Sequence, residues 1–585
     1  MTTLSNILKT SSSEDLSIDI VALITSAAND DTPKYTLSEI RDALKDANVV
    51  QHLDPLNALP SLLPCPDPAA QEIIGLMRAD ANAKEIVIAV EESLERLHRT
   101  ALEDGDDEDD EATDNRPNST LPLSEQILRL LGLLKGGHPQ VLAKQFDTDS
   151  GRASILASAE LVNEVVDWAE KKEGISTEET KAYRNVLTEF IFTALPSLSS
   201  TVKSSLSARA FSLCFPRLAF REVIDPTWKT GDQAMQAMVS AYLKVEGTAT
   251  FSPSLLSPPN QALLILYAHW LMKTADESFS SSTTTKLTYL EVVFPVILQS
   301  IQTNHFLEET LSILLLSLHH LQLSKNSAIE LSPDLIHPLC TLLPHLAGAH
   351  PEPQVRHRTF RVLGMVLKSS PALVRMQVLR ELTGPSEQNQ ESSNDDLEAI
   401  EEARRQLMRI AAIGLVKEAI MEALQESASS DQSAKNPFVT PRFLQTFGPI
   451  LFRTQPEDYF ETLSRRIESL PEKEREQEYL VSLNKELEGE AELTRLVECL
   501  SLLYVLLLRD GRNLTGLRDK DNVANIERTL LAPIRRLLET VFDVSKDGES
   551  EDRHAQLHSV MPLVALKLGI ERLDDASRDL GLKSS

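Results

Sequence analysis

The residues whose types could bind a metal ion lie close together in one segment of the chain. His337 and Cys340 are three positions apart and would share a face of a helix, and His345 and His350 follow them. A structural zinc site needs four ligands that converge on one point. Pro344 is expected to break the helix before His345, so these side chains would not converge. They are therefore expected to serve in the core or as helix caps, and no metal is expected.

Motifs for catalysis or phosphate binding are missing. Gly132, Gly136 and Gly137 surround Lys135, but they lack the spacing of a P-loop and its following Ser or Thr. The sequence has no Gly-x-Ser-x-Gly elbow and no His-Glu-x-x-His pair. Only 20 glycines occur in 585 residues, so the tight turns that hold cofactors are scarce. We expect a protein that is not an enzyme and has no cofactor.

The cysteines and apolar segments indicate the compartment. Cys65, Cys214, Cys340 and Cys499 are far apart in sequence and form no Cys-x-x-Cys pair, which favours reduced structural thiols. Cys65, between two prolines, has the alternative of being a reactive thiol. The N-terminus lacks a signal-peptide pattern, and the longest apolar stretch, 496–508, is too short to span a bilayer. The expected location is the cytoplasm, with the nucleus as a second compartment, and no membrane contact is expected.

The chain is strongly acidic. Its formal net charge is −29, which argues against nucleic acid as a ligand, because phosphates would be repelled. Residues 103–111 read Glu-Asp-Gly-Asp-Asp-Glu-Asp-Asp-Glu, and so many like charges predict a disordered loop. The loop could bind a basic partner or be a solvated insertion.

Residues 355–364 give the clearest helical signal, Val-Arg-His-Arg-Thr-Phe-Arg-Val-Leu-Gly. Val355, Thr359 and Val362 fall at three- and four-residue steps on one helical face, directly after a Pro-rich turn. Similar patterns, without strand alternation or a strict repeat period, recur along the chain. Local start signals include capping boxes at 36–39 and 176–179 and a Pro-rich start before the helix at 261–273.

Arginines cluster around that helix. Arg356, Arg358, Arg361, Arg375 and Arg380 form a basic island in an acidic chain. They could join successive helices through ion pairs, or they could anchor an acidic partner.

The predicted fold is all-α, an irregular HEAT/armadillo-like α-solenoid with a disordered acidic insertion. The predicted segments are N-terminal helical repeats (1–100), the acidic loop (101–120), central helical repeats (121–383), a polar loop (384–396), a helix (397–426), a second loop (427–439) and C-terminal helical repeats (440–585), the last being the candidate partner-binding region.

One stretch, Ala349 to Phe438, resembles the glomulin / Yap-binding protein / aberrant-root-formation family of HEAT-like proteins. The resemblance is carried by His350-Pro-Glu-Pro-Gln-Val-Arg356, Phe360-Arg-Val-Leu363, Pro371-Ala-Leu-Val-Arg375, Leu379-Arg-Glu-Leu382, Arg409-Ile-Ala-Ala-Ile-Gly-Leu-Val-Lys-Glu418 and Asn436-Pro-Phe438.

The resemblance implies one of two roles for a monomeric interaction protein. Glomulin-like members bind the RING subunit of cullin–RING ubiquitin ligases and block the ubiquitin-conjugating enzyme, through C-terminal repeats that would here follow Thr440. Fungal-type Yap-binding members support a bZIP transcription factor in the oxidative stress response. A different reading of the acidic helical chain is a karyopherin-like transport or assembly adaptor that binds basic partners.

Five residues are candidate partner contacts, because buried aromatic and arginine side chains dominate many interfaces. They are Arg356, Arg361, Phe443, Phe452 and Tyr459. Helical spacing also allows the aromatic ones to be core residues.

Overall fold

The computed structural model describes residues 13–30, 32–80, 148–171, 177–277, 283–323, 330–385, 395–429, 436–468, 490–543 and 561–581, with a few single positions between them. Within these ranges every regular element is a helix and no strand occurs, which confirms the predicted all-α class. The chain forms two compact units, Met1–His320 and Leu321–Ser585. Inside each unit, helices pack mainly on helices that are close to them in the chain, as in solenoid-like helical-repeat proteins.

The helices follow one another through the described ranges. In the N-terminal half they are α1 (Ser13–Asn29), α2 (Leu37–Ala47), α3 (Pro55–Leu62), α4 (Pro68–Asp80), α5 (Thr148–Lys171), α6 (Thr177–Leu198), α7 (Leu206–Cys214), α8 (Trp228–Val245), α9 (Gln261–Glu277), α10 (Thr283–Thr303) and α11 (Leu307–Leu323). They continue as α12 (Pro333–Ala349), α13 (Pro353–Lys368), α14 (Ala372–Thr383), α15 (Asp395–Ser429), α16 (Arg442–Leu451), α17 (Tyr459–Glu468), α18 (Ala491–Arg509), α19 (Lys520–Ile526), α20 (Ala532–Asp543) and α21 (Met561–Asp579). Short 3-10 turns occur at Val50–His52, Ser199–Thr201, Ala219–Arg221 and Pro437–Val439, and a π turn, Glu527–Leu531, links α19 to α20.

In the first unit, α5 and α8 pack on each other, and one glycine of each helix lies against the turn that follows α6. A Cβ placed on Gly231 would lie 2.0 Å from the carbonyl oxygen of Val202, and one on Gly151 would lie 2.1 Å from Thr201 Oγ1. The buried Arg152 donates from Nε to the Val202 carbonyl over 3.1 Å. These residues fix the two helices against the 3-10 turn that follows α6.

The core of the first unit contains a cluster of aromatic rings. Tyr242 and Phe251 have ring centroids 5.7 Å apart, and Tyr267 lies 5.5 Å from Tyr289. The Tyr289 hydroxyl donates to the carbonyl of Phe251 over 2.7 Å, so the polar end of this buried ring is satisfied. The cluster joins α8, α9 and α10.

In the second unit, α15 is the helix that connects the others. It packs on α12, α14 and α18, while α12 also pairs with α13 and α18 with α21. A Cβ on Gly569 of α21 would lie 2.9 Å from Leu500 Cδ1, so the absent side chain permits the close approach of α18. The 35-residue α15 therefore sets the positions of the surfaces described below.

Two predicted helix starts are confirmed. Thr36 Oγ1 accepts from the Glu39 N–H at 3.3 Å, and Glu39 Oε2 accepts from the Thr36 N–H at 2.9 Å, which is the reciprocal capping box. Asn260 Oδ1 accepts from the Leu263 N–H at 2.9 Å at the start of α9.

The expected helix break at Pro344 is wrong. Helix α12 runs without interruption from Pro333 to Ala349 and contains both Pro338 and Pro344. A proline inside a helix removes one N–H donor, but the buried Leu339 and Leu343 bind this helix to its neighbours, and tertiary packing outweighs the local cost.

Several predicted segments lie outside the described residues. They are the acidic loop at 101–120, residues 386–394 of the polar loop, residues 430–435 of the second loop and the first residue of the capping box at 176–179. The helix predicted at 397–426 lies within α15.

Candidate protein-interaction surface

The arginines of the basic island have different surroundings. Arg356 donates from Nη1 to the carbonyls of His350 and Pro351, at 2.7 and 2.9 Å, and so closes the turn between α12 and α13. Arg358 is buried and lies 3.3 Å from Gln354 Oε1. Both side chains stabilise the start of α13.

Two other arginines of this island form ion pairs that join neighbouring helices. Arg361 of α13 lies 3.5 Å from Glu418 of α15, and Arg375 of α14 lies 2.9 Å from Glu422 of the same helix. Lys368 adds a second cation to Glu422 at 2.8 Å. Burial alone would raise the pKa of Glu422, but the hydrogen bonds from Lys368 and Arg375 hold it below its usual range. The inter-helix pairing considered from sequence is therefore present at these positions.

The aromatic candidates lie in the core of the second unit. Phe443 and Phe452 are fully or almost fully buried, and the rings of Phe443 and Phe447 are 5.2 Å apart. Tyr459 is also buried, and its hydroxyl donates to Glu490 Oε2 over 3.0 Å. These side chains support the C-terminal helices, and a partner contact by Arg356, Arg361 or any of the aromatic residues stays a prediction.

Sequence reasoning missed a groove formed by α12, α14 and α15. Its volume is about 360 Å³. It is lined by Pro344, His345, Gly348, Ala349, Glu381, Leu382, Gly384, Pro385, Glu401, Arg404, Arg405, Met408 and Arg409. Ile400 and Leu407 of α15 do not line the groove; they lie two turns apart on another face of this helix, outside its core pattern. Both side chains are exposed, at 49% and 66%.

Exposed leucines also occur on the C-terminal helices after Thr440. Leu508 at the end of α18 is 49% exposed, and Leu568 on α21 is 47% exposed. Because α18 and α21 pack together, these helices present apolar atoms on the outside of one helical pair. Each of the two is a separate candidate contact for a protein partner, since larger exposed apolar patches mark protein-binding surfaces.

The histidine and cysteine candidates differ in their surroundings. Among the residues that the structure describes, no group of three or more His, Cys, Asp or Glu side chains could hold a metal ion. The expected core or cap role is wrong for His337 and His345, because both are exposed within α12. The four cysteines are free thiols. Burial raises the pKa of Cys340 to about 11, so its thiolate is scarce at neutral pH. In the described ranges no helix has the length and hydropathy needed to cross a bilayer.

A comparison with protein families matches more than half of this chain. A family model described as "Uncharacterised protein family, YAP/Alf4/glomulin" matches residues 260–568, more than half of the chain. No curated protein matches the chain. The matched residues include the groove, the inter-helix ion pairs and both exposed C-terminal leucines.

Proposed function

The chain belongs to the YAP/Alf4/glomulin family, and we propose that it regulates a cullin–RING ubiquitin ligase by covering the RING subunit of the ligase. Membership in the family supports a helical protein-interaction role. The more specific role, regulation of a cullin–RING ligase, is taken from the glomulin-like members of the family. The action would be steric and would require no catalytic group. We propose the cytoplasm as its location, with the nucleus as a second compartment.

The observation that carries the proposal is the exposure of Leu508 and Leu568 on the packed helices α18 and α21. Both lie after Thr440, in the region that the family resemblance assigns to RING binding, and both lie inside the matched residues. An interface of standard size needs apolar anchors surrounded by polar residues. The aromatic side chains Phe443 and Phe452 would then act from the core by holding this surface rigid.

The test is a calorimetric titration of the full chain with the RING subunit of a cullin ligase, together with a ubiquitin-transfer assay. Leu508→Asp and Leu568→Asp should each weaken binding by about 10-fold or more, as expected for loss of an apolar anchor. Leu373→Asp is the matched control, because Leu373 on α14 is similarly exposed, at 56%, and lies before Thr440. Binding with slowed transfer that depends on Leu508 and Leu568 supports the proposal.

No binding and no inhibition would exclude the ligase role. The family description also names YAP proteins, which favours support of a bZIP stress factor as the second candidate. That role predicts that deletion of the gene makes cells sensitive to peroxide, whereas the ligase role predicts a change in ubiquitin-conjugate levels.

A further inference from the structure

Helices α1 and α3 of the first unit pack together and form an open groove. Its volume is about 610 Å³, and it follows α1 from Ser17 to Asp30, a length of roughly 20 Å at about 1.5 Å per residue. The Ser61 hydroxyl donates to Thr25 Oγ1 over 3.4 Å, and the Asn29 amide donates to the Ser61 hydroxyl over 3.5 Å. These bonds hold the two helices together, so the groove is part of the packed fold.

Part of the groove is apolar and open to solvent. Ile18, Val21 and Ala22 line it within little more than one turn of α1. Ile18 is 70% exposed, whereas Ile20 and Ile24 of the same helix are fully buried. Ile18 therefore lies outside the core of α1 and presents its side chain to the groove.

Two carboxylates also line the groove. Asp30 accepts from the Ser26 hydroxyl, and Asp54 accepts from the Leu56 N–H at 2.9 Å and from Asn57 Nδ2 at 2.6 Å. A carboxylate can accept about four hydrogen bonds, so each of the two retains capacity for a further donor. Neither forms an ion pair with a residue that the structure describes, and none of the described residues that line the groove is a lysine or an arginine.

The chain around the groove is acidic as well. Residues 10–33, which contain α1, have five Asp or Glu and no Lys or Arg, and residues 46–77, which contain α3, have four and none. Arg41 of α2 lies 3.0 Å from Glu72, so this cation already has a carboxylate. The exposed Lys34 follows α1 but does not line the groove. The groove is therefore a region of negative potential that attracts cations.

We propose that this groove binds a basic segment of a partner protein, whose apolar side chain covers Ile18 and whose Lys or Arg side chains pair with Asp30 and Asp54. A basic occupant is favoured because a cation is the partner that both carboxylates lack in the described chain. The apolar part of the groove supplies an anchor beside the charges, as in interfaces where an apolar contact is surrounded by polar residues. The groove belongs to the first unit and precedes the matched residues 260–568, so this proposal does not rest on RING binding.

The test is a selection of short random displayed peptides on the full chain, followed by affinity measurement by fluorescence polarisation. Peptides bound by the native chain are counter-selected on Ile18→Ser, which removes the apolar contact. The peptides that remain should carry Lys or Arg close to an apolar residue. Asp30→Lys should weaken their binding by about 10-fold or more, as for reversal of a paired interface charge. Raising the salt concentration from about 0.1 M to about 1 M should also weaken it, because the Debye length falls from about 10 Å to about 3 Å.

Asp46→Lys is the matched control. It makes the same change in net charge at an exposed aspartate of the first unit that does not line the groove. Asp30 directly follows α1 and Asp46 lies in the last turn of α2, so a cation at either position agrees with the helix dipole and both variants should fold. Asp46→Lys should leave the affinity of the peptides unchanged.

Four outcomes would overturn the assignment. The first is that no peptide distinguishes the native chain from Ile18→Ser when both have the same melting temperature. The second is that the selected peptides are acidic or lack Lys and Arg. The third is that Asp30→Lys and Asp46→Lys weaken binding equally, which would assign the effect to overall charge. The fourth is that the native chain associates with itself in sedimentation and Ile18→Ser abolishes this, which would assign the groove to a second copy. If Ile18→Ser lowers the melting temperature, Ile18→Ala provides the counter-selection, because alanine favours the helix.

Discussion

Arg495 and Glu492, one turn apart on α18, form a two-point ion pair inside the second unit. Arg495 Nε and Nη2 lie 2.6 Å from the two carboxylate oxygens of Glu492, and the arginine is 1% exposed. Arg495 also donates to the carbonyls of Ile450 and Arg453, at 3.1 and 2.6 Å, while Glu492 accepts from the Gln455 N–H at 2.8 Å. The pair therefore attaches the end of α16 and the turn after it to α18.

Glu492→Gln should destabilise the second unit by about 3–5 kcal/mol, because it leaves the Arg495 charge buried without its counter-charge. Chemical denaturation followed by circular dichroism measures the change. The control is Glu461→Gln, since Glu461 and Arg465 are 3.7 Å apart and both largely exposed, so the change should be below about 1 kcal/mol. Equal losses in the free energy of unfolding for the two substitutions would show that the buried pair stabilises the protein no more than the exposed pair.

Gly231→Ala should destabilise the first unit strongly. Its new Cβ would lie 2.0 Å from the backbone oxygen of Val202, and a backbone atom of a packed turn cannot move aside cheaply, so we expect a loss of at least about 1–3 kcal/mol. Gly75→Ala in α4 is the matched control, because its Cβ would meet no described atom within 4 Å. It should stabilise the helix by up to about 1 kcal/mol. A melting temperature of Gly231→Ala at or above that of the native chain would contradict the contact.

Glu309 should make stability depend on pH. Burial raises the pKa of Glu309 to about 7, from an ordinary value of 4.5, and the neighbouring Glu308 adds to the rise. The folded state therefore binds more protons than the unfolded state between pH 4.5 and 7, so this group lowers stability as pH rises through that window. Glu309→Gln should be more stable than the native chain at pH 8, by up to about 3 kcal/mol, and the difference should disappear below about pH 5.

The exposed Glu291 on α10 provides the control for this titration. Glu291→Gln should shift the unfolding midpoint equally at both pH values. If the difference in free energy of unfolding between Glu309→Gln and the native chain is the same from pH 5 to pH 8, Glu309 does not titrate in this range.

Sequence could predict the fold class because helical signals are local. The Thr36 and Glu39 side chains cap a helix that begins at the next residue, and Asn260 caps α9 through the N–H of Leu263. Pro344 shows the limit of such rules, since α12 continues through it. A local preference worth a few kcal/mol is overridden where a helix buries apolar side chains on both sides of the proline.

The candidate surface could not be predicted from sequence, because it depends on contacts between helices that residue spacing does not reveal. Phe443 and Phe452 have the residue type of interface anchors, but both are buried, because helical spacing alone cannot tell a core face from a binding face. The groove of α12, α14 and α15 combines residues from Pro344 to Arg409, and Arg409 donates to Gln455, which lies beyond α16 in the chain. Such pairings are a property of the packed unit.

The ion pairs of α15 should differ in strength according to burial. The Arg375 and Glu422 side chains are 14% and 28% exposed, whereas those of Arg361 and Glu418 are 31% and 62% exposed and 3.5 Å apart. The Arg375 guanidinium also lies 5.8 Å from the centre of the Phe438 ring. A double-mutant cycle should therefore give a coupling free energy of about 1–3 kcal/mol for Arg375 with Glu422 and below about 0.5 kcal/mol for Arg361 with Glu418.

The same variants test the predicted partner contact at Arg361. Because its ion pair is weak, Arg361→Glu should leave the melting temperature nearly unchanged, so any loss of RING-subunit binding would come from the surface itself. Arg375→Ala should instead lower the melting temperature, because it breaks the half-buried link between α14 and α15. Unchanged binding by a folded Arg361→Glu variant would remove Arg361 from the contact surface and leave it as an inter-helix residue.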